Sequence, residues 1–432
     1  MKRLFISMFA MLTLVTTAWA DVEINEVNFP DENFRNWVLS QSYGADGVLT
    51  EKEIAGITNI KVTRKDIQNL KGIEFFPALK TLQCYSNKIT SLNISNNTAL
   101  TSLECGNNKL TELDVSNNTA LTHLSCNNNQ LTTLDVSKNT ALKNLSCYVN
   151  QLTELDVSKH TALKRLDCYD NLLTALDLSQ NTELEYMRCS GNQLTTLDMS
   201  KNTALDELVC NNNQLTELNV SKNTVLKRLF CNNNQLTALD LSQDTKLEYM
   251  MCHDNFLTTL DVSKNTALLY IQCNGNQLAT LDVSKNIVLK ELYCYNNQLT
   301  GMDVSRNTAL IRLECYQNQI KDEAMDRLVE SLPTINNMNA YLYLIYNENE
   351  GNEITSKQVA AARAKNWIPQ YYAKYDEDTY WWTDYDGCDS DVDAIGTIHD
   401  EMKDGAAYNL AGQRVKKIQR GIYIINSKKV LK

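Results

Sequence analysis

Thiol and carboxylate side chains recur in this sequence at a fixed spacing, and both groups could do chemistry. Twelve of the thirteen cysteines stand 21 residues apart, and Cys388 alone lies outside the series. Cysteines in such number commonly form disulfides in exported proteins, and thiols that converge on one ion bind metals. The periodic cysteines are Cys84, Cys105, Cys126, Cys147, Cys168, Cys189, Cys210, Cys231, Cys252, Cys273, Cys294 and Cys315.

The regular spacing argues against both kinds of chemistry. In a stack of parallel strands, neighbouring cysteine Cα atoms would lie about 4.8 Å apart, which a disulfide tolerates. Parallel Cα–Cβ bonds would keep the Cβ atoms about as far apart, whereas disulfides prefer ~3.8 Å. Thiols in a row also do not converge on one ion. The sequence therefore predicts a ladder of buried thiols that behave as small hydrophobic side chains, with no metal site and no cofactor.

Carboxylates form a second periodic series. Aspartate stands nine residues after the cysteine in nine repeats, and Asn93 and Asn219 take its place in two others. Stacked like charges repel, so solvent and turn amides, or else bound cations, must offset the repulsion. Because asparagine replaces aspartate and a hard cation needs several converging oxygens, the pattern favours the amides, with calcium as the alternative. The aspartates are Asp114, Asp135, Asp156, Asp177, Asp198, Asp240, Asp261, Asp282 and Asp303.

A second calcium hypothesis concerns residues 46–53. The sequence DGVLTEKE resembles the latter half of an EF-hand loop, but Ser42 and Gly44 stand at its early ligand positions. A turn followed by a capping box between Thr50 and Glu53 accounts for the same residues and is favoured over calcium binding.

The repeat itself indicates which elements must position these side chains. Its consensus is L-x-x-L-x-C-x-x-N-x-L-T-x-L-D-V-S-x-N-T-A, in which L-x-C and L-D-V both have the period of two typical of strands. One such coil cannot bury its apolar residues alone, so the repeats must stack into a solenoid. The motif L-x-x-L-x-C-x-x-N-x-L resembles the leucine-rich repeat signature of internalin-like proteins. That resemblance implies a β-rich solenoid, gently curved, with parallel strands on its concave face and small α/β caps at both ends.

An asparagine follows every periodic cysteine by three residues. A chain that turns out of a strand leaves backbone N–H and C=O groups without partners, and a buried amide can satisfy them. We expect each asparagine to bond to its own coil and the next. The serine eleven residues after the cysteine, from Ser95 to Ser305, suits hydrogen bonding in a turn. The asparagines are Asn87, Asn108, Asn129, Asn150, Asn171, Asn192, Asn213, Asn234, Asn255, Asn276, Asn297 and Asn318.

Patterns outside the repeats divide the rest of the chain. Residues 1–20 have the basic head, short apolar stretch and small-x-small site of a secretory signal peptide, which predicts export. The predicted segments are the signal peptide (1–20), an N-terminal cap with a helix and a degenerate first repeat (21–78), the leucine-rich repeat solenoid (79–320), a C-terminal α/β cap (321–375), an acidic linker (376–393) and a C-terminal tail (394–432).

Both caps are predicted to contain helices. Residues 30–39 and 322–332 place apolar side chains on one helical face, and residues 355–367 are expected to form a further helix. Extended segments are expected at 60–62 and 341–346. Caps of this kind cover the ends of a solenoid, which otherwise expose unpaired strand edges.

The C-terminal tail resembles the sorting tails of cargo for the type IX secretion system. The matching pieces are LAGQRV at 410–415 and GIYI at 421–424, with Asn426 and Ser427 at the turn of an expected hairpin. The resemblance implies delivery to the cell surface, and a hairpin without a sorting role is the alternative.

Charge and composition exclude several classes of function. The formal net charge of −11 argues against a general nucleic-acid binder, because phosphate backbones need a basic surface. No stretch after residue 20 is apolar enough to span a membrane. Four scattered histidines, without a nucleophile motif or a metal-ligand grouping, argue against an enzyme.

The contrast between repeats points to a binding face. Inward positions barely change, whereas the outward strand positions, three and one before the cysteine and one after it, change in every repeat. Tyrosine and arginine are common there, as at protein interfaces, although aromatic residues also suit exposed strands. The predicted partner-binding residues are Tyr148, Arg165, Tyr169, Tyr186, Arg188, Arg228, Phe230, Tyr249, Met251, Tyr270, Tyr293, Tyr295, Arg312 and Tyr316.

The favoured function is therefore an exported cell-surface recognition or adhesion protein. Its partner would be a protein, from a host or a neighbouring cell, held along the concave strand face. The alternative is a glycan-binding protein that stacks sugars on the tyrosines or on the Trp381–Trp382 cluster. Those tryptophans are more readily explained as a cover for the C-terminal cap.

Overall fold

The protein forms two compact units, Met1–His160 and Thr161–Lys432. A computed structural model describes residues 21–336, 338–346, 350–374, 380–384 and 386, and the backbone alone of three strands between 407 and 431. Residues 1–20, most of the predicted acidic linker including Cys388, and the LAGQRV motif lie outside the described residues.

The first unit begins with a small cap. Strand β1 (Val22–Glu23) pairs antiparallel with β2 (Val48–Leu49). Helix α1 (Glu32–Leu39) begins at Asp31, whose side chain accepts the Phe34 N–H, and it buries Phe34 and Val38 as the apolar spacing predicts.

The predicted capping box starts the second helix. In α2 (Glu51–Gly56), the Thr50 N–H and hydroxyl donate to Glu53 Oε2 at 2.9 and 2.7 Å, and the Glu53 N–H donates to Thr50 Oγ1 at 3.4 Å. The carboxylate that a calcium ion would need is thus engaged by its own helix.

Parallel three-residue strands follow, one in each repeat. Each strand buries its central residue, and Ile60, Leu82, Leu103 and Leu124 lie side by side in register. A 3₁₀ helix, Ile73–Phe75, lies between the first two of these strands. They are β3 (Asn59–Lys61), β4 (Thr81–Gln83), β5 (Ser102–Glu104), β6 (His123–Ser125) and β7 (Asn144–Ser146).

The second unit continues the same pattern and ends in the other cap. Its strands are parallel from the first to the tenth, and the eleventh is antiparallel. The strands are β8 (Arg165–Asp167), β9 (Tyr186–Arg188), β10 (Glu207–Val209), β11 (Arg228–Phe230), β12 (Tyr249–Met251), β13 (Tyr270–Gln272), β14 (Glu291–Tyr293), β15 (Arg312–Glu314), β16 (Ala340–Ile345), β17 (Trp367–Lys374) and β18 (Tyr380–Asp384), and the helices are α3 (Asp322–Ser331) and α4 (Ser356–Arg363).

Every repeat buries the same positions. In one coil, the side chains of Leu226, Leu229, Cys231 and Leu236 are fully buried, and Leu241 is nearly so. Because successive coils place these side chains above one another, the core within each unit is a column of leucine, cysteine and valine. The fold is the leucine-rich repeat solenoid that the period predicts.

The second extended segment predicted at L-D-V is not a strand ladder. Within the described residues, this side of the coils has a single isolated bridge, between Asp198 and Asn219. Each aspartate here accepts the backbone N–H of the serine two residues later, as Asp240 does from Ser242 at 2.9 Å. This Asx turn bends the chain before a ladder can extend. The alternation of buried and exposed residues is therefore real, but the predicted strand is wrong.

The C-terminal cap differs from its predicted limits in two places. Helix α4 ends at Arg363 rather than residue 367, because Asn366 adopts a left-handed conformation and Trp367 opens β17. Strand β18 lies inside the segment predicted as an acidic linker, 376–393, most of which is outside the described residues. The Trp382 ring packs 5.3 Å from that of Tyr372, across the antiparallel pair that β17 and β18 form.

The tail contains three antiparallel strands, β19 (Ala407–Asn409), β20 (Ile422–Ile425) and β21 (Lys428–Leu431). The pairing of β20 with β21 is the hairpin expected there, although its turn, Asn426 and Ser427, lies outside the described residues. Across the described part of the chain, no helix has the length and apolar character that a membrane crossing requires.

Candidate binding surface

The twelve periodic cysteines are buried thiols, as predicted. Burial raises the pKa of Cys231 and Cys273 to about 12. A thiolate is the reactive form of cysteine, so these groups are inert at neutral pH. The ladder is part of the core, and a functional site must be sought elsewhere.

The asparagine three residues after each cysteine forms an amide ladder. Asn234 Nδ2 donates to the carbonyls of Cys231 at 3.0 Å and Cys210 at 3.1 Å, and Oδ1 accepts the N–H of Leu215 at 3.0 Å. The expectation of bonds to the next coil is wrong in direction. The unpaired cysteine carbonyl that the amide reaches belongs to the preceding coil.

A second amide ladder, which sequence reasoning missed, lies thirteen residues after the cysteine. Asn223 Nδ2 donates to the carbonyls of Met199 at 3.1 Å and Asn202 at 2.8 Å. The recurring N of the motif S-x-N-T was the available signal. The position is buried and holds Asn97, Asn118, Asn139, His160, Asn181, Asn202, Asn223, Asp244, Asn265, Asn286 and Asn307.

The periodic aspartates are exposed and act within turns. Hydrogen bonds from the backbone N–H and hydroxyl of Ser137 lower the pKa of Asp135. Asn219 accepts the N–H of Ser221 in the same way at 3.0 Å, which explains why asparagine substitutes for aspartate. Within the described residues, no three or more His, Cys, Asp or Glu side chains group as a metal site would require.

The outward side chains of the second unit form two columns, because its strands pair in register. We call these columns the strand face. The column three residues before the cysteines holds Arg165, Tyr186, Glu207, Arg228, Tyr249, Tyr270, Glu291 and Arg312, followed by Tyr341. The column one residue before them holds Asp167, Arg188, Val209, Phe230, Met251, Gln272, Tyr293 and Glu314, followed by Tyr343.

One end of the strand face is an ion-pair network, which we call the arginine network. Arg165 Nε–H donates to Asp167 Oδ2 at 2.7 Å. Arg188 and Arg228 share one carboxylate, since their Nε–H groups donate to Glu207 Oε1 and Oε2 at 2.7 and 2.8 Å. The hydrogen bond that Arg165 donates to Asp167 also raises the pKa of Arg165. The sequence predicted the arginines but not the acidic partners.

An apolar patch follows the network along the strands. It consists of Phe230, Tyr249, Met251 and Tyr270, of which Tyr249 is 38% exposed. Tyr249 lies beside Tyr270 in register, and Met251 beside Phe230. Among the described residues the Tyr249 hydroxyl has no hydrogen-bond partner, whereas the Tyr270 hydroxyl donates to Gln272 Oε1 at 2.9 Å. The patch therefore offers apolar surface and one unengaged hydroxyl.

Beyond the patch, Tyr293 and Arg312 contact each other and are each hydrogen-bonded to a glutamate. The Tyr293 hydroxyl donates to Glu291 Oε2 at 2.6 Å, and its ring lies 5.2 Å from that of Tyr270. The Arg312 guanidinium stands 5.3 Å from the centre of the Tyr293 ring and donates from Nε to Glu314 Oε1 at 2.8 Å. Burial raises the pKa of Tyr270 and Tyr293, so both phenols remain neutral.

Tyr295 and Tyr316 belong to an aromatic cluster in the C-terminal cap. Their rings stack at 4.3 Å, and Trp382 packs 5.0 Å from Tyr316. Tyr316 is only 9% exposed, because the cap covers it, so little of its side chain is accessible to a partner. Trp382 covers the cap, as favoured, and the side chain of Trp381 lies outside the described residues.

The remaining predicted contacts lie apart from the apolar patch. Tyr148 is half-buried in the first unit. Tyr169 is half-buried in the second unit. The Arg165 guanidinium lies over the Tyr186 ring, with its Cζ atom 5.7 Å from the ring centre. The structure therefore brings together the arginine network, the patch and the Tyr293–Arg312 group on the strand face.

Solved structures of known proteins share this fold. The functional domain of InlJ from Listeria monocytogenes, which includes a cysteine ladder, is 35% identical with a TM-score of 0.61, over 77% of this chain and 83% of that domain. An internalin from L. monocytogenes strain 4b F2365, InlF, is 26% identical with a TM-score of 0.66, over 71% and 95%. A Leptospira interrogans leucine-rich repeat protein is 27% identical with a TM-score of 0.57, over 61% and 73%.

Sequence comparison gives a shorter match. No family model matches the chain. Internalin J of L. monocytogenes serotype 4b (strain F2365) is 37% identical over 71 residues, which is 16% of this chain and 8% of that protein. The matched segment thus spans less than a tenth of that curated relative's length.

Proposed function

The chain belongs to the internalin-like leucine-rich repeat proteins, and from this we propose that it is an exported recognition protein that binds a protein partner through its strand face. The observation that carries the proposal is the apolar patch, Phe230, Tyr249, Met251 and Tyr270, which lies accessible between two ordered charged groups. Apolar and aromatic surface of this kind supplies most of the binding energy at protein interfaces.

Removing the patch should weaken partner binding without weakening the fold. We expect the double variant Y249A/M251A to lose about tenfold or more in affinity, because interface aromatics commonly contribute over 1 kcal/mol each. Ile287→Ala is the matched control, since Ile287 is also apolar and exposed but lies outside the strand face. The measurement is binding of labelled protein to an array of purified extracellular proteins, with thermal unfolding in parallel. Equal binding by the double variant would contradict the proposal.

A glycan ligand is the alternative that the same experiment can recognise. The strand-face tyrosines would be its stacking platforms, since Trp382 is engaged within the cap. Binding to a glycan array that Y249A/M251A abolishes, with no signal on the protein array, would replace the protein partner by a sugar.

Export and surface delivery form a separate part of the proposal. Residues 1–20 would direct export, and the tail 394–432 would direct sorting to the cell surface, as their resemblances imply. Deletion of residues 394–432 should leave the protein exported but absent from the surface fraction of the producing cells. Unchanged surface display would limit the tail to the hairpin alone.

A further inference from the structure

The arginine network presents guanidinium groups to the outside and keeps its carboxylates beneath them. The side chains of Arg165, Arg188 and Arg228 are 36%, 39% and 39% exposed, whereas those of Asp167 and Glu207 are 6% and 7% exposed. These three positive charges face two buried negative ones. The neighbouring Asp206 pairs with Lys227 at 2.6 Å and also lies 3.6 Å from Nη2 of Arg228, so four positive side chains meet three carboxylates. The surface that a partner meets here is positive, although the whole chain carries a net charge of −11.

The buried carboxylates also fix the orientation of the guanidinium groups. Asp167 accepts two hydrogen bonds from Arg165, at 2.7 and 3.2 Å. Glu207 lies 2.7 Å from both Nε and Nη2 of Arg188 and 2.8 Å from Nε of Arg228. A guanidinium has five N–H donors, so each arginine retains donors for another acceptor. Groups already held in one geometry lose less entropy when they bind.

The network and the apolar patch form one continuous surface. Arg228 lies beside Tyr249 in register, and Phe230 follows two residues after Arg228 on the same strand. A segment bound along the strand face would therefore cross from apolar side chains to arginines within about two strand spacings, or ~10 Å.

We propose that the segment of the partner that contacts this surface is acidic as well as apolar: a polypeptide stretch with Asp or Glu carboxylates beside aromatic or aliphatic side chains. This inference rests on the proposed function, because it names the chemistry of the partner at the same surface. Carboxylates pair with guanidinium groups through short charge-assisted hydrogen bonds. The arginines would also draw in an acidic segment and reject a basic one.

The test selects short random peptides displayed on phage against the immobilised full chain. We expect the selected peptides to be enriched in Asp and Glu next to aromatic or aliphatic residues. Their affinity should fall about tenfold in R188Q/R228Q/E207Q, and also in about 0.5 M NaCl, which screens the charge. Glutamine is polar and uncharged, so the arginine substitutions remove the charge while keeping a polar side chain, and E207Q avoids leaving a buried carboxylate unpaired. Arg306→Gln is the control for loss of an exposed arginine outside the strand face.

The outcomes separate this inference from the function on which it rests. Selected peptides that depend on Tyr249 and Met251 but lack acidic enrichment, and that bind the triple variant unchanged, overturn the inference and leave the proposed function intact. Peptides that bind regardless of Tyr249 and Met251 contradict both. If the triple variant unfolds at a lower temperature, R165Q/D167N provides the same comparison at the other pair of the network.

Discussion

Asp244 stands at a buried position where nine other repeats carry asparagine. By the repeat, its side chain faces the carbonyls of Val220 and Asn223, which an asparagine amide would satisfy. A carboxylate has no hydrogen to donate to them, and neither Asp244 oxygen has a partner among the described residues. A protonated carboxyl can donate one such bond. Burial, and then the charge of Asp240, raise the pKa of Asp244 from 3.8 to about 7.

Asp244→Asn should therefore stabilise the protein in a pH-dependent way. The pKa of Asp244 is higher in the folded state than in the unfolded state. The protonated carboxyl therefore contributes fully to the free energy of unfolding in acid, and this contribution is lost as the pH rises through about 7. We expect the variant to match the parent near about pH 4 and to exceed its free energy of unfolding by about 1–3 kcal/mol near about pH 8. Thermal unfolding across this range is the measurement. Asp135→Asn, at the equivalent exposed turn of another coil, is the control, because Asp135 does not act on Asp244. A gain independent of pH would refute the assignment.

Single residue types could be predicted from the sequence, but their pairings could not. The outward positions gave Arg188 and Arg228, yet Glu207 lies between Tyr186 and Arg228 only because the strands stack in register. The role of the second asparagine ladder could not be predicted from the sequence either, because its amides donate to carbonyls 21 and 24 residues earlier in the chain.

Among the elements, the turn after each strand is set by a left-handed residue. Two residues after the cysteine, φ lies near +50 to +60°, for example 52° at Asn128 and 61° at Gly191. Glycine, asparagine and aspartate tolerate this conformation, but a β-branched side chain does not. Val149 nevertheless occupies it with φ 52°.

Replacing Val149 should relieve that strain. We expect Val149→Asn to raise the free energy of unfolding by about 1 kcal/mol, because the left-handed conformation costs a branched residue about 1–2 kcal/mol. Asn128→Val places the same strain in a neighbouring turn and should lower it by a similar amount. Urea unfolding of both variants is the measurement, and a loss of stability in Val149→Asn would contradict this account of the turn.

Element boundaries were predicted less well than element types. The strand at L-x-C, both cap helices and the Thr50–Glu53 capping box are present where their spacing indicated. The alternation of L-D-V is typical of a strand, but a hydrogen bond from the serine backbone N–H to the aspartate side chain turns the chain there. Period alone does not distinguish an extended ladder from an Asx turn that also buries alternate residues.

For the whole molecule, the 21-residue period determined the architecture before any local propensity was considered. Because one spacing places every cysteine, the strand alternation that buries Cys252 also puts Tyr249 and Met251 on the outside. The partner itself could not be predicted, since affinity depends on the few exposed residues that differ between repeats. The central claim is that in-register coils bury the thiols and leave the strand face available for binding.

Selective labelling of a new cysteine on the strand face tests that claim most directly. In a Cys388→Ser background, Met251→Cys adds one outward thiol to twelve buried ones. We expect a thiol reagent to label the native protein once, at position 251, and a selected peptide or the partner to protect that thiol. Labelling of the repeat cysteines in the native protein, or equal labelling at position 251 with and without the bound ligand, would contradict the claim.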